Sequence, residues 1–100
     1  MSQREQAIFK RSVQVLREEL NPKKIILFGS RAKGTSQEGS DFDFALDCRP
    51  PSFAKSHRVK EKLSEGAGLY QFDLTFLPAV SKDFRKIILE TGKVVYERRV

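Results

Sequence analysis

The stretch Phe28–Asp47, FGSRAKGTSQEGSDFDFALD, is the part of this chain that most strongly constrains its expected fold. It begins at the end of a short apolar run, KIILF at residues 24–28, whose flanking proline and glycine are typical of the ends of a buried strand. Residues 29–40 are rich in glycine, serine and threonine, which predicts a turn region with one short helical turn from Ser30. Residues 41–47 follow the alternation of polar and apolar side chains that is typical of a strand. The stretch therefore predicts two strands joined by a turn.

The remaining sequence predicts three longer helices and two more strands. Apolar residues at helical spacing cover residues 4–20, and Asn21-Pro22 ends this helix because the residue before a proline is pushed out of the α region. Gly92 is expected at the left-handed C′ position that ends the last helix. The elements predicted after Asp47 are a helix capped by Ser52 and reaching about Glu65, a strand at Gln71–Leu77, a helix from Ser81 to Glu90 and a short edge strand at Val94–Tyr96. The apolar side chains expected to face the core from these two helices are Phe53, Val59, Leu63, Phe84, Ile87 and Ile88.

These elements predict an α+β fold of two layers, in which a small mixed β-sheet of three to four strands carries helices on one face. A chain of 100 residues is expected to form a single domain over residues 1–100. A domain of this size buries only about 60–65% of the surface that its unfolded chain exposes. The length leaves no room for a second lobe, so we expect a partner, or a second copy of the chain, to complete any active-site cleft.

The composition, with 39% hydrophobic and 32% charged residues, is typical of a soluble globular protein. No apolar run approaches the ~20 residues that span a bilayer, and the N-terminal residues lack the apolar core of a secretion signal, so a cytoplasmic location is expected. Cys48 is the only cysteine, which excludes an internal disulfide and a zinc site made of several cysteines. The net charge of +6 favours phosphates, nucleic acid or an acidic protein surface as partners, although solubility explains it equally well.

Three aspartates occupy positions where strands usually carry other residues. Aspartate is depleted in strands, yet Asp41 and Asp43 open one predicted strand and Asp73 lies inside another. Side chains two residues apart point to the same face, so the first two carboxylates lie roughly 7 Å apart and repel each other unless a cation separates them. If the two strands pair side by side, the third acid joins them in a site for one or two magnesium ions. The alternative is that these acids line the solvent-facing side of the strands.

The Gly29-Ser30 pair comes directly after the first strand and is a candidate phosphate-binding turn. Glycine allows a tight turn and the close approach of a bulky anion, and a helical turn beginning at Ser30 would direct free N–H groups at a phosphate. The serine hydroxyl can add a hydrogen bond, and Arg31 supplies positive charge nearby. Many ordinary turns contain a Gly-Ser pair, so this pair acquires meaning only together with the three acids.

The combined pattern resembles the nucleotidyltransferase superfamily, in which a strand and a Gly-Ser turn are followed by an Asp-x-Asp pair and a later third acid. The stretch Phe28–Asp47 is especially similar to the minimal nucleotidyltransferases, or MNT domains, and ILETGKVVYE at residues 88–97 is similar to the ends of those short chains. The resemblance covers nearly the whole chain. The residues that carry it are Gly29, Ser30, Asp41, Asp43 and Asp73, and Gly34 and Ser40 also suit the pattern of the family.

The resemblance implies transfer of AMP from ATP to an acceptor hydroxyl, with release of pyrophosphate, in a magnesium-dependent reaction. It implies metal binding by Asp41 and Asp43, with Asp73 completing the site as a third metal ligand or as a base. Gly29 and Ser30 would hold the triphosphate, and Arg31 would neutralise its charge. Electrostatic stabilisation and positioning are then expected to supply most of the catalysis.

The resemblance also implies a partner. Minimal nucleotidyltransferases are often encoded beside a helical HEPN protein, which can be a ribonuclease toxin that the MNT protein neutralises, in some pairs by adenylylating a tyrosine. Two other functions stay open at this point. The chain could neutralise its partner by contact and use the acids only to bind nucleotide, or it could transfer to an RNA end or a small hydroxylated molecule. The charge allows RNA without favouring it, and the sequence leaves the acceptor, the choice of triphosphate and a homodimer undecided.

Overall fold

The computed structural model describes residues 1–35, 37 and 39–99, and the predicted turn region therefore includes two residues, 36 and 38, that lie outside the described part. Four strands form one mixed sheet. The α-helices are α1 (Gln3–Leu20), α2 (Ser30–Lys33), α3 (Phe53–Ser64) and α4 (Lys82–Thr91), and a short 3-10 helix covers Leu77–Ala79. The strands are β1 (Lys24–Phe28), β2 (Phe42–Leu46), β3 (Phe72–Phe76) and β4 (Lys93–Glu97).

Local sequence accounts for where the helices begin and end. Ser2 and Glu5 form a capping box at the start of α1, and Asn21 ends that helix in the left-handed conformation, with φ of 44°. Ser52 and Ser81 cap α3 and α4 by accepting hydrogen bonds from backbone N–H groups three residues further along the chain. The predicted elements are thus all present, with bounds within two residues of those expected.

The strand order is β3-β2-β1-β4, which places the two strands that carry acids side by side. β1 is antiparallel to β2 and to β4, whereas β2 and β3 run parallel and are connected through α3. The sheet is mixed, as the sequence predicted, because one crossover and one antiparallel connection flank β2.

The two faces of the sheet carry different helices. One face packs against α1 and α3 in the main core, which includes Phe42, Phe44, Val59 and Leu63. α4 packs against the opposite face, where Ile88 forms a small cluster with residues of β1 and β2. The α+β class is therefore confirmed, but the helices are not confined to one face as expected, because the alternate residues of β1 and β2 on the other side are also apolar.

Three of the expected core residues lie on the surface. Phe53 is 91% exposed, Ile87 is 55% exposed and Phe84 is 40% exposed, whereas Ile88 is buried. Phe53 is the first residue of α3, and Phe84 keeps one edge contact with Phe28 of β1.

Gly92 ends α4 for a different reason from the one that the sequence suggested. Its backbone is extended, with φ of −82°, and is not left-handed. An added Cβ would meet Ile26 Cγ2 at 2.5 Å and the Ile88 carbonyl oxygen at 2.7 Å. The glycine is therefore required by the close approach of the chain to β1. Among the described helices, none is both long enough and apolar enough to cross a membrane.

Candidate active site

Two of the three predicted acids are direct neighbours in the sheet. Asp43 of β2 and Asp73 of β3 are register partners across the parallel pair, and their carboxyl groups are within hydrogen-bonding reach. Asp41 lies just ahead of β2, exposed, and close enough for its charge to act on Asp43. The structure thus brings Asp43 and Asp73 together as a pair, with Asp41 at the margin.

The alternation of β2 directs these acids away from the main core. Phe42 and Phe44 are fully buried against α1 and α3, so Asp43, between them, points to the face that α4 covers only in part. Phe28 of β1 is the other register partner of Asp43 and makes an edge contact with Phe84 of α4. The pair of acids therefore lies on a sheet face that is apolar towards α4 and open beyond it.

The electrostatics of the pair are those of two carboxyl groups that compete for one proton or cation. The pKa of Asp43 is raised to about 6, first by burial, then by the hydrogen bond with Asp73 and by the charges of Asp73 and Asp41. Arg31 opposes this shift of the Asp43 pKa through its positive charge. At neutral pH Asp43 is therefore mostly ionised next to a second acid, and a divalent cation would relieve the repulsion that acts on it.

Gly29 places the predicted phosphate turn directly against this pair. Its φ of 74° and ψ of −154° lie in a region that only glycine adopts readily. A Cβ built at this position would overlap the Asp43 carboxyl group, with Cγ only 3.1 Å away. The missing side chain is therefore what lets the backbone pass beside Asp43.

Ser30 begins the single helical turn that the sequence predicted after the first strand. α2 is four residues long, and its backbone folds back on itself, with the Thr35 N–H donating to the Ser30 carbonyl oxygen at 3.0 Å. Ser30 is partly exposed at the same end of β1 as Gly29. The turn therefore lies next to Asp43.

Arg31, which the resemblance assigned to neutralising the charge of the triphosphate, points into the protein. Its guanidinium group is buried, with a side chain 1% exposed, and forms an ion pair with Glu5 at 2.8 Å. It also donates to the Ser40 and Asp41 carbonyl oxygens and lies over the Phe42 ring, 3.9 Å from the centroid. Its charge reaches Asp43, but its hydrogen-bonding groups are directed at the protein interior and not at a phosphate.

Glu5 was missed by the sequence analysis, although the sequence contains a signal for it. Glu5 continues the stripe of α1 whose later members Ile8, Ser12 and Leu16 are all buried. A charged residue in register with such a stripe must find a buried partner. The capping box of Ser2 and Glu5 was a second signal for its local role.

The charge of Glu5 is strongly stabilised in the folded protein. The pKa of Glu5 is lowered to about 2, chiefly by the hydrogen bond from Arg31. Burial acts in the opposite direction on this pKa, and hydrogen bonds from Ser2, Tyr70 and Gly39 add to the lowering. The ion pair is therefore intact over the physiological range of pH.

This pKa predicts a specific loss of stability in acid. An acid whose folded pKa lies below its ordinary value of 4.5 contributes its full stabilisation above that value and loses it as the pH falls towards about 2. We therefore expect the melting temperature of Glu5→Gln to lie furthest below that of the wild type near neutral pH and to approach it between pH 4.5 and pH 2. Glu65→Gln, which alters an exposed pair with Arg11, is the control and should show little effect at any pH. A constant difference for Glu5→Gln across this range would contradict the assignment.

The acidic pair fits a magnesium ion, although it does not form a complete cage. In the described part of the chain, no three histidine, cysteine or acidic side chains are gathered closely enough to hold a metal on their own. Magnesium usually binds through one or two carboxylates together with substrate phosphates and water. Two adjacent carboxyl groups, Asp43 with its raised pKa and Asp73, lie beside the glycine turn and match that donor set.

Comparison with known proteins agrees with this geometry. Residues 10–99 match the family model described as polymerase beta, nucleotidyltransferase. A Haemophilus influenzae protein with the name probable protein adenylyltransferase MntA is 38% identical over 72 residues, which cover 71% of this chain and 63% of that protein. The chain thus matches less than two thirds of the length of this relative.

Solved structures share the fold. A crystal structure described as a toxin–antitoxin with AMP-PNP superposes with a TM-score of 0.75 at 23% identity, over 90% of this chain and 73% of that chain. A tri-AMPylated Shewanella oneidensis HEPN toxin in complex with MNT antitoxin gives a TM-score of 0.70 at 20% identity, over 93% and 72% of the two chains. At these identities the structures establish the common fold, and the family match over residues 10–99 establishes the relationship. The chain therefore belongs to the polymerase beta-type nucleotidyltransferase family.

Proposed function

We propose that this protein is a magnesium-dependent nucleotidyltransferase that transfers AMP from ATP to an acceptor hydroxyl. We further propose that the acceptor is a tyrosine of a HEPN-type protein, which the modification neutralises. The observation that carries the proposal is the direct pairing of Asp43 with Asp73 across parallel strands, backed by Gly29. A pair of carboxyl groups beside an open backbone turn suits the binding of a metal-bound triphosphate better than it suits a stable surface.

The residues of the chain divide the work between binding and activation. Gly29 and Ser30 would offer backbone and hydroxyl groups to the triphosphate, because this turn has no side chain between it and Asp43. Asp41 and Asp43 would hold the magnesium ions, whose role is to neutralise charge that develops on the reacting phosphate. Asp73 is exposed on the outer strand and is therefore the acid best placed to meet an acceptor, as a metal ligand or as a base.

A protein acceptor is supported by the proteins that this chain resembles. A relative named as an adenylyltransferase and an MNT antitoxin complexed with an AMPylated HEPN toxin both resemble this chain. β3 lies at the edge of the sheet, so Asp73 can be approached from outside without opening the fold. A helical partner docked beside β3 would present a tyrosine hydroxyl to the acids, and a second copy of the chain could do the same.

The test is label transfer from ATP to a HEPN-type protein in the presence of magnesium. We expect label from the α-phosphate to appear on the partner, label from the γ-phosphate to stay off it, and mass spectrometry to locate AMP on a tyrosine. Asp73→Asn should lose this transfer, and Asp47→Asn, which removes a carboxylate beyond the end of β2, should retain it. Absence of label from every partner, with ATP bound by the protein, would contradict the proposed activity.

Two other results would redirect the proposal. If Asp73→Asn still neutralises the partner fully while transfer is lost, neutralisation occurs by contact. If label appears on RNA in the same reaction and not on protein, and binding falls steeply with salt, the acceptor is nucleic acid.

A further inference from the structure

A buried ion pair joins three separate parts of the chain beside the candidate site. Glu5 of α1 and Arg31 of α2 meet at 2.8 Å, with their side chains 5% and 1% exposed. The side chains of Glu5 and Tyr70, which precedes β3, are hydrogen bonded to each other. The pair therefore lies where the N-terminal helix, the Gly-Ser turn and the approach to β3 come together.

Apart from the Ser2 N–H, which donates to Glu5 Oε1 at 3.2 Å, the remaining hydrogen bonds of the pair go to the backbone of residues 39–41. Arg31 Nη2 donates to the Ser40 carbonyl oxygen at 2.6 Å, and Arg31 Nε donates to the carbonyl oxygens of Ser40 and Asp41 at 3.2 and 3.3 Å. Glu5 Oε2 accepts a hydrogen bond from the Gly39 N–H at 3.4 Å. Both charged groups thus hold the same segment, residues 39–41.

The guanidinium group also fixes the residue between Asp41 and Asp43. It lies over the Phe42 ring at 3.9 Å, and that ring stacks on Phe72 of β3, with 5.5 Å between ring centroids. Phe72 immediately precedes Asp73. Arg31 thereby contacts the start of β2 directly and acts on the start of β3 through Phe42. These are the two strands that carry the acidic pair.

Stability alone does not account for an ion pair in this position. Removing two charges from water costs free energy that their attraction often fails to exceed, and well-packed apolar residues of similar size are frequently as stable. A planar guanidinium that donates from two nitrogens, as Arg31 does from Nε and Nη2, fixes by contrast the direction of the groups that it binds. The arrangement is therefore better suited to holding geometry than to stabilising the fold.

We propose that Glu5 and Arg31 are positioning residues for nucleotidyl transfer, holding residues 39–41 so that Asp41 and Asp43 face the Gly29–Ser30 turn. The inference rests on the proposed function and adds to it two residues that touch neither nucleotide nor acceptor. Their effect is exerted through the backbone before β2 and through the packing of Phe42. This effect changes the orientation of the acids and not the binding of the phosphates.

The first variant, Arg31→Lys, keeps the positive charge and removes the planar guanidinium group. Arg31→Lys keeps three N–H donors but carries them on one nitrogen, so it loses the planar group whose Nε and Nη2 reach Glu5 and the two carbonyl oxygens from separate positions. We expect kcat for AMP transfer to fall about 10- to 100-fold, the range for loss of an orienting partner or a misplacement near 1 Å. The KM for ATP should change much less than kcat, since the turn itself is intact.

The second variant removes the charges and keeps the volume. The double substitution Glu5→Met with Arg31→Met should melt close to the wild type and show the same loss of kcat. Val59→Ala, in α3 on the face of the sheet away from the acids, is the control for a fold that is weakened while the Glu5–Arg31 pair is kept. Wild-type kcat in a folded double variant would overturn the proposal. So would a loss of kcat in Arg31→Lys no greater than in Val59→Ala at equal melting temperature.

A measurement without turnover separates this inference from the proposed activity. Amide hydrogen exchange at Asp41, Phe42 and Asp43 should accelerate in Arg31→Lys and stay unchanged in Val59→Ala. A wild type that transfers no AMP, with exchange in Arg31→Lys accelerated, would contradict the proposed function and leave the positioning role standing. Unchanged exchange in Arg31→Lys would overturn the positioning role whatever the activity.

Discussion

Asp43→Asn is expected to abolish nucleotidyl transfer and, in the same molecule, to stabilise the fold above pH 6. The loss of activity should be on the order of 10³-fold, the scale on which pre-organised electrostatic groups contribute to catalysis. The gain in stability has a separate cause. Because the pKa of Asp43 is raised to about 6 in the folded protein, folding opposes ionisation of this carboxyl group, and the penalty grows as the pH rises from about 4 to about 6. An asparagine amide can instead donate to Asp73.

The measurements are activity at pH 7.5 and melting temperature from pH 4 to pH 8. Asp43→Asn should melt above the wild type at pH 7.5 and converge with it near pH 4. Magnesium with ATP should raise the melting temperature of the wild type and not that of Asp43→Asn. Asp47→Asn carries the same change of charge four residues further on and should resemble the wild type in activity and in its response to magnesium. Wild-type activity in Asp43→Asn would remove Asp43 from the catalytic site.

Gly29→Ala is expected to damage both the fold and the site. Alanine at a φ of 74° and ψ of −154° costs about 1–3 kcal/mol of stability, because this region is accessible essentially to glycine alone. The new methyl group also overlaps the Asp43 carboxyl group, which must move or push the turn away. Displacing the Asp43 carboxyl group by about 1 Å should lower kcat/KM for AMP transfer about 100-fold.

The control for this variant is Gly34→Ala, five residues further along the chain. Gly34 also has a positive φ, of 75°, but an added Cβ would meet no atom within 4 Å. Its cost is therefore the strain of a left-handed residue alone, about 1–2 kcal/mol. Chemical denaturation and initial rates of AMP transfer compare the two variants directly. Equal loss of activity in both would show that general strain, and not contact with Asp43, is responsible.

The acids show which features of the site a local sequence pattern can predict. A period of two is a property of any strand, so the direction of Asp43, opposite to that of Phe42, followed from sequence alone. Asp41 precedes β2, and its common direction with Asp43 stays a prediction. The nearness of Asp43 to Asp73 depends on β2 and β3 being neighbours in register, which no local pattern specifies. The sequence pointed to Asp73 as an acid inside a strand, but could predict its pairing with Asp43 only on the condition that the two strands lie side by side.

Arg31 shows what the local sequence could not predict. Its position after Gly29-Ser30 suggested a phosphate ligand, because sequence shows which charge lies near a turn and not where the side chain points. The direction is set by Glu5, 26 residues away, and by the Ser40 and Asp41 carbonyl oxygens. The same holds for Phe84 and Ile87, whose exposure follows from the position of α4 on the sheet.

Local sequence was enough to predict the order of helices and strands, the serine caps of α3 and α4, the turn at Gly29 and the side of β2 on which Asp43 lies. These features depend on interactions between residues only a few positions apart, and such interactions are present whatever the tertiary structure. The tertiary structure alone decided that Asp43 pairs with Asp73, that Glu5 and Arg31 form one buried pair and that α4 takes the second face of the sheet. Those features depend on contacts between distant segments, whose register and direction are chosen by packing and by the cost of leaving buried charge unpaired.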